Sequence, residues 1–276
     1  MKNKTKQIKL GIIGTGVMGT IFINRLLKTK TLFKNQILVN DNSPENIKKV
    51  NKNYGVKGTL DKKKLIEKAN IILLAVKPQN FKNLTIEIKK YIKPNKKLLV
   101  LSIMAGVDIK NIQKLLGFKK VVRVMPNLPA KIGQGISVWQ ASPEVSQSQK
   151  REAKIILQSL GQELEVKDEK IIDKATAISG SGPAYVFLFQ EMMAIASQKL
   201  GLPQKIAHKL VEQTIKGSIN LQKKLNVSPE ILRQQVTSKG GTTAQAINIF
   251  EKHKTQNIFT KALRAAYKRS QELKKL

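Results

Sequence analysis

Three glycines near the amino terminus have the spacing of a turn that binds phosphate groups. Gly14, Gly16 and Gly19 form the pattern GxGxxG between the apolar run Ile8–Ile13 and a helical pattern. In this context the first glycine permits a tight turn, the second lets the backbone approach a pyrophosphate, and the third lets helix and strand pack closely. The alternative is a plain strand-to-helix turn. We expect a dinucleotide to contact the turn and the helix start, namely Gly14, Thr15, Gly16, Val17 and Met18.

An acidic residue follows the second apolar run at the distance that is typical of ribose binding. Asp41 lies 22 residues after Gly19, where an acidic side chain in dinucleotide-binding folds accepts a hydrogen bond from the adenosine ribose of NAD. Asn42, Ser43 and the helix N-terminus after them could instead hold the 2′-phosphate of NADP, as could nearby lysines. The same stretch is also a helix cap. These residues leave the choice between NADP and NAD open.

Two more segments follow apolar runs on the predicted sheet. One consists of Ala75, Val76, Lys77 and Pro78, and the other ends at Asn127 in the sequence Met-Pro-Asn. The carboxyl ends of parallel strands meet at one edge of a sheet, where ligands bind in such folds. Lys77 could therefore contact a ribose or a phosphate, although it is also one lysine among many.

In the carboxyl-terminal half, two segments rich in glycine and hydroxyl groups each precede a helical pattern. Val236–Thr243 reads VTSKGGTT, which suits a carboxylate because exposed amides and the helix dipole favour negative charge. An ordinary capped helix start is the alternative. Ser179–Gly182 predicts a flexible turn, and Glu191 is the only charged residue from Ala175 to Gln198. The helix there is predicted to be buried on most sides, with a terminus that faces a ligand as the alternative.

The composition argues against several other kinds of chemistry. The 276-residue chain has no cysteine and two histidines that no motif joins, so a thiol or metal site is not expected. The net charge is +33, but aromatic residues make up 5% and do not alternate with the lysines, so we favour a solvated basic surface over a nucleic-acid-binding face. No apolar run reaches transmembrane length. We expect a cytoplasmic protein without a membrane or specific nucleic-acid partner.

The elements that must position these groups change near residue 142. Before it, short apolar runs alternate with amphipathic segments, which predicts a doubly wound α/β domain with a mostly parallel sheet. The runs are Ile8–Ile13, Ile37–Asn40, Ile71–Val76, Leu98–Ile103 and Val121–Val124. From Ser142 the strand signals stop, and Ser-Pro-Glu is interpreted as a helix start. We place a dinucleotide-binding Rossmann domain at residues 1–164 and an all-α domain at residues 165–276, with its last helix over Thr243–Leu276.

Six segments together resemble the pyrroline-5-carboxylate reductase family. They are GIIGTGVMG, AVKPQ, MPNLPA, SGSGPAYVF, GLP and VTSKGGTT, in that order over nearly the whole chain. The resemblance implies a Rossmann domain followed by a helical domain that dimerises, with further assembly into decamers. It also implies reduction of Δ1-pyrroline-5-carboxylate to L-proline, the last step of proline biosynthesis, with NADPH as the hydride donor and NADH as the alternative.

The resemblance also implies roles for particular residues. The hydroxyl group of Thr243 would contact the ring nitrogen of the substrate and be catalytic, and Glu169 would lie near the substrate. Ala105 and Asn127 would join the cofactor site. The substrate carboxylate would be held by the loop and helix start formed by Ser238, Gly240, Gly241, Thr242 and Thr243.

The chain departs from the family pattern in three places. Lys239 stands where proline is usual, Lys62 where asparagine is common, and Asp41-Asn42 where some relatives have an Asn-Arg pair. Two other functions are the alternatives. A β-hydroxyacid-type dehydrogenase would use a lysine on the helix just after Ser179–Gly182, but no Lys or Arg occurs between Ala175 and Gln198. A non-catalytic nucleotide-sensing or nucleic-acid-binding protein would bind its ligand without turnover.

Overall fold

An eight-stranded sheet organises the amino-terminal part of the computed structural model, which describes residues 7–93 and 97–273. Its strands are β1 (Leu10–Ile13), β2 (Ile37–Asn40), β3 (Lys57–Thr59), β4 (Ile71–Leu74), β5 (Leu99–Ser102), β6 (Val121–Met125), β7 (Gly135–Ala141) and β8 (Gly161–Glu165). The spatial order is β3-β2-β1-β4-β5-β6-β7-β8. Neighbouring strands are parallel except for the antiparallel pair β6 and β7. The order of the first six strands is that of dinucleotide-binding folds, with the switch point between β1 and β4.

The helices of the described chain follow the strands and then continue alone. They are α1 (Val17–Lys28), α2 (Pro44–Tyr54), α3 (Lys62–Lys68), α4 (Phe81–Ile88), α5 (Ile109–Leu116), α6 (Gln147–Gln158), α7 (Lys170–Ala175), α8 (Gly182–Lys199), α9 (Gln204–Leu225), α10 (Pro229–Gln235), α11 (Thr242–Lys252) and α12 (Thr255–Glu272). Side-chain oxygens of Ser43, Asp61, Asp108 and Ser146 accept amide hydrogen bonds at the starts of α2, α3, α5 and α6. These residue types stabilise helix starts because they satisfy amide groups that lack an intrahelical partner.

Helices cover both faces of the sheet because successive strand residues point to opposite sides. Leu73 and Leu101 pack in one core with α1 and α6, whereas their neighbours Ile72 and Val100 pack in the other with α3, α4 and α5. Strands buried on both faces are apolar at most positions, and β1, β4 and β5 show this pattern apart from Ser102 at the end of β5. The predicted doubly wound α/β fold is confirmed, and each of the five predicted strands is present.

The sheet extends further along the chain than expected, and the prediction that strands stop at Ser142 is wrong. β8 has the sequence GQELE, and its side chains are exposed or half-buried. It forms because its backbone pairs in parallel with β7 over Gly135 to Trp139. An edge strand of this kind needs no apolar run, so its sequence carries no strand signal. The short edge strand β3 escaped prediction for the same reason.

Two predicted helix boundaries are also wrong. Ser142 does not start α6, because it is buried and its hydroxyl group bonds the amide of Val121 and the carbonyl of Lys119. α6 begins five residues later, after a capping box in which Ser146 and Gln149 satisfy each other's backbone amides. The predicted last helix is divided into α11 and α12, where Lys254 adopts a left-handed conformation with φ 50°.

The segment around Ser179–Gly182 is not the flexible turn that its composition predicts. Thr176–Gly180 forms a π-helical turn that links α7 to α8. The hydroxyl group of Ser179 donates to the carbonyl of Ala175, and the amide of Ser181 donates to the carbonyl of Thr176. A Cβ atom at Gly180 would lie 2.6 Å from Cε of Met125, so the turn passes close to the end of β6.

The chain divides into two compact units, Met1–Ser181 with Ala266–Leu276, and Gly182–Ala265. We expected a division after residue 164; residues 165–181 instead group with the sheet. Of residues 182–265, all of which are described, Ala194, Ala207 and Val211 are buried. The prediction that α8 is buried on most sides is therefore wrong for the single chain. α8 packs on α9 and leaves a broad apolar surface exposed, formed in α8 by Val186, Phe187, Leu188, Phe189, Met192 and Ile195.

Candidate active site

The three glycines of the first turn differ in what surrounds them. Gly14 has φ +98°, and a Cβ atom there would lie 2.6 Å from the carbonyl oxygen of Ala75. A Cβ atom at Gly19 would overlap the carbonyl oxygen of Gly14. Packing within the protein thus explains Gly14 and Gly19. A Cβ atom at Gly16 would meet nothing within 4 Å, so the space over this residue is open.

The first turn of α1 presents amide groups towards this open space. Gly16 is the N-cap, no side chain caps the helix, and no acidic residue lies in its first turn. Uncapped amides and the positive end of the helix dipole favour an anion such as a pyrophosphate. The start of α1, with Gly14, Thr15, Gly16, Val17 and Met18, therefore stays the predicted pyrophosphate site.

Asp41 ties the end of β2 to the glycine turn. Its Oδ2 accepts from the amide and the hydroxyl group of Thr15, at 2.8 and 2.6 Å, and its Oδ1 accepts from the amide of Ser43 and from Nδ2 of Asn46, at 3.0 and 3.2 Å. Burial raises the pKa of Asp41, but these hydrogen bonds outweigh burial and lower the pKa below its ordinary value. Asp41 is therefore ionised and connects β2 to the glycine turn, and both of its carboxylate oxygens already accept hydrogen bonds within the protein.

A cleft of about 550 Å³ opens at the carboxyl ends of β1, β2 and β4. Seven of the residues that we predicted for the cofactor line it: Gly14, Gly16, Asp41, Asn42, Ala75, Val76 and Lys77. Thr15, Val17 and Met18 continue the same turn, Ser43 caps α2, and Pro78 opens a short 3₁₀ turn after Lys77.

The two remaining predicted cofactor residues follow neighbouring strands at the same edge of the sheet. Ala105 comes after β5 and is half-buried, next to Gly106 at φ +76°. Asn127 comes after β6, and its side-chain oxygen accepts from the amide of Ile136 at 2.9 Å. Asn127 therefore also fixes the connection from β6 to β7.

Sequence reasoning missed five polar residues that line the cleft, Asn40, Asn46, Asn80, Asn83 and Glu87. The last three are spaced by three and four residues at the start of α4 and along it, which places them on one helix face. That spacing was a readable signal. It could not show that the face borders the cleft, because this depends on how α4 packs against the sheet.

The predicted substrate loop lies between α10 and α11. Gly240 has φ +74°, a conformation that favours glycine, and the amide of Gly241 donates to the carbonyl of Ser238. Gly241 is the N-cap of α11, and no side chain caps this helix. The amides at its start, where Thr242 and Thr243 lie, are therefore suited to a carboxylate. Lys239 is exposed at the tip of the loop.

Glu169 takes part in a buried ionic network that the sequence did not reveal. Arg123, 1% exposed in β6, donates to Oε1 of Glu169 at 2.8 Å and to Oδ1 of Asp173 at 2.7 Å. The same oxygen of Glu169 accepts from the amide of Ile109 at 2.8 Å. An arginine within a buried strand needs such partners, so Arg123 in VVRVM was the available signal.

Among the described residues, no group of three or more His, Cys, Asp or Glu side chains could hold a metal ion. In the same residues, no helix has the length and the apolar character that a membrane span requires.

The doubly wound sheet, the open space over Gly16 and the cleft along β1, β2 and β4 fit a dinucleotide. Together with a helical unit they define a dinucleotide-binding protein of the Rossmann class. The family model described as pyrroline-5-carboxylate reductase dimerisation matches residues 169–273, and that described as NADP oxidoreductase, coenzyme F420-dependent, matches residues 9–106.

Relatives match over nearly the full length of the chain. A pyrroline-5-carboxylate reductase of Synechocystis sp. is 37% identical over 268 residues, which are 97% of this chain and 99% of the relative. A solved structure of such a reductase from Coxiella burnetii has a TM-score of 0.88 and 35% identity, covering 97% of this chain and 99% of that one. The reductase of Plasmodium falciparum, solved with NADP bound, has a TM-score of 0.89 and 32% identity, covering 98% and 99%. The chain belongs to the pyrroline-5-carboxylate reductase family, which confirms the resemblance.

Proposed function

We propose that this protein reduces Δ1-pyrroline-5-carboxylate to L-proline with NADPH, as the last step of proline biosynthesis. The observation that carries the proposal is membership of the family over the full chain, since the Synechocystis relative is covered to 99% of its length. The NADP in the Plasmodium relative and the NADP oxidoreductase model over residues 9–106 support NADPH as the donor. NADH is the alternative donor.

The residues of the sheet edge would hold the cofactor, which supplies a hydride when it is bound. The amides of the Gly14–Met18 turn hold the pyrophosphate, because they are uncapped and face open space. Lys77 adds a positive charge at the end of β4. Ala105 and Asn127 follow the later strand ends, where they would contact the cofactor.

The loop from Ser238 to Thr243 holds the substrate. The uncapped start of α11 and the hydroxyl group of Ser238 bind the carboxylate, and Gly240 and Gly241 allow the chain to turn closely around it. A protonated imine donates a hydrogen bond from its ring nitrogen, and the hydroxyl oxygen of Thr243 accepts it. The imine is already electrophilic, so the protein contributes positioning and electrostatic stabilisation rather than a strong acid.

Glu169 is also proposed to lie near the substrate, but its contacts within the protein limit which of its oxygens could bind the substrate. Its Oε1 is held by Arg123 and by the amide of Ile109. A direct contact with the substrate must therefore use Oε2. Otherwise Glu169 acts by fixing the segment that enters α5, next to Ala105.

The functional unit is proposed to be a homodimer that assembles further into decamers and works in the cytoplasm. Residues 1–164 would bind the dinucleotide, and residues 165–276 would bind substrate and dimerise. The dimerisation model over residues 169–273 and the exposed apolar side chains of α8 support a partner chain, because such large apolar patches are rare on monomers.

Oxidation of NADPH and of NADH, each with and without Δ1-pyrroline-5-carboxylate, tests the reaction. We expect oxidation that depends on the substrate, and Thr243→Ala should lower kcat/KM by about 10- to 100-fold, the loss of one charge-assisted contact. Thr260→Ala is the matched control, because Thr260 is exposed and its hydroxyl group bonds the carbonyl of Gln256. Folded, dimeric protein that oxidises neither cofactor would refute the proposal.

A further inference from the structure

The wall of the dinucleotide cleft contains an ion pair between Lys62 and Glu87. Nζ of Lys62 lies 2.9 Å from Oε2 of Glu87 and 2.9 Å from Oδ1 of Asn42. Lys62 is 14% exposed at the start of α3, whereas Glu87 is 52% exposed on α4. All three residues line the cleft, together with Asp41. Beside the end of β2, the largely buried ammonium group of Lys62 is thus paired with the exposed carboxylate of Glu87.

Asp41 cannot by itself select NAD in this chain. A carboxylate offers about four acceptor positions, and the two oxygens of Asp41 already accept four hydrogen bonds from Thr15, Ser43 and Asn46. A ribose hydroxyl would have to displace one of these donors. We therefore expect another charged group near the end of β2 to determine which of the two cofactors is preferred.

Lys62 is that charge. A phosphate monoester carries about −1.5 to −2 charges near neutral pH and three acceptor oxygens, whereas the Glu87 carboxylate carries one charge and is half in solvent. An arriving phosphate is therefore a stronger partner for the ammonium group than Glu87 is. Asn42 holds the lysine at the strand end in either case.

We propose that Lys62 and Glu87 form an exchange pair that sets the preference for NADPH over NADH. The 2′-phosphate replaces Glu87 at Lys62, and Glu87 swings into solvent. Glu87 acts as an internal competitor that weakens NADPH binding without affecting NADH. This inference rests on the proposed cofactor site, and it assigns selectivity to two residues that lie outside the glycine turn.

The test uses two fragments that differ only in the 2′-phosphate, adenosine 2′,5′-bisphosphate and 5′-AMP, with affinities measured by calorimetry on the full chain. The wild type should bind the bisphosphate at least about 10-fold more tightly than 5′-AMP, because only the bisphosphate can form an ion pair with Lys62. Lys62→Met should remove most of this ratio, because the two fragments differ only in the phosphate group that Lys62 binds. Glu87→Gln should widen the ratio several-fold. Lys63→Met is the matched control, since Lys63 is more than half exposed on the same helix and pairs with Glu67.

The outcomes separate this inference from the proposed reaction. If Lys62→Met keeps the wild-type ratio, or if Glu87→Gln fails to widen it, the exchange pair is refuted while the reductase proposal stands. If neither fragment binds to folded wild-type protein, the cofactor site itself is wrong. In the double variant Lys62→Met with Glu87→Gln, the ratio should equal that of Lys62→Met, because Glu87 acts only through Lys62.

Discussion

Replacing Gly16 with alanine should separate cofactor binding from folding. A Cβ atom at Gly16 meets nothing within 4 Å, and the residue has φ −66° and ψ −165°, which alanine adopts without strain. Alanine is a poorer N-cap than glycine by about 0.5–1 kcal/mol, but it removes about 0.4–1 kcal/mol of chain entropy from the unfolded state. We expect the free energy of unfolding to change by less than about 0.5 kcal/mol.

The same methyl group would occupy the space over the amides of α1. If it prevents one charge-assisted hydrogen bond to a phosphate, about 1.5–3 kcal/mol of binding free energy is lost, and NADP⁺ affinity falls about 10- to 100-fold. Gly19→Ala is the contrasting variant, because its Cβ atom would overlap the carbonyl oxygen of Gly14. Overpacking there should cost about 1–2 kcal/mol after the better helix propensity of alanine is counted.

Thermal unfolding without cofactor and calorimetric titration with NADP⁺ measure the two effects on the same samples. Gly16→Ala should melt within about 2 °C of the wild type, and Gly19→Ala several degrees lower. Equal losses of stability in the two variants would contradict the packing argument. Unchanged NADP⁺ affinity in Gly16→Ala would show that the pyrophosphate does not lie over this residue.

Three further outcomes follow from the structure. Arg123→Met should lower the free energy of unfolding by about 3–5 kcal/mol, since it removes the guanidinium group from two carboxylates in a buried network. Lys150→Met breaks the pair with Glu165, which is more exposed, and should cost less than about 1 kcal/mol. Urea unfolding measures both losses, and equal losses would contradict the buried network. Because the folded-state pKa of Asp41 is lowered, its ionised form stabilises the fold above the ordinary pKa, and this stabilisation is lost as the pH falls through the folded-state pKa. Unfolding measured against pH should therefore show a deficit for Asp41→Asn that is largest at neutral pH and shrinks below pH 3.8, and a deficit that stays constant would be inconsistent with this linkage. Phe187→Asp places a charge on the exposed apolar side of α8 and should yield monomers of 30.8 kDa by light scattering, whereas a stable dimer would place the interface elsewhere.

Local sequence patterns determined much of the fold, because strands, turns and helix caps each depend on residues that are close together in the sequence. A strand buried on both faces is apolar at most positions, so the strands Ile71–Leu74 and Leu99–Ser102 could be identified from their apolar runs. A glycine turn between such a strand and a helix predicts both the Rossmann fold and the phosphate site. The start of α2 was predictable for a similar reason, since the cap Ser43 and the first helical residue Pro44 lie within one turn of each other.

Only the tertiary structure decided features that depend on distant partners. β8 exists because its backbone pairs with β7, and its polar sequence gives no sign of this. The binding oxygens of Asp41 are engaged by Thr15, which lies 26 residues away, and the amine of Lys62 is engaged by Glu87 on another helix. The nearly uncharged stretch of α8 predicted burial, yet the single chain leaves it exposed. An apolar pattern shows that a surface must be covered, but whether the same chain or a second copy covers it depends on three-dimensional packing.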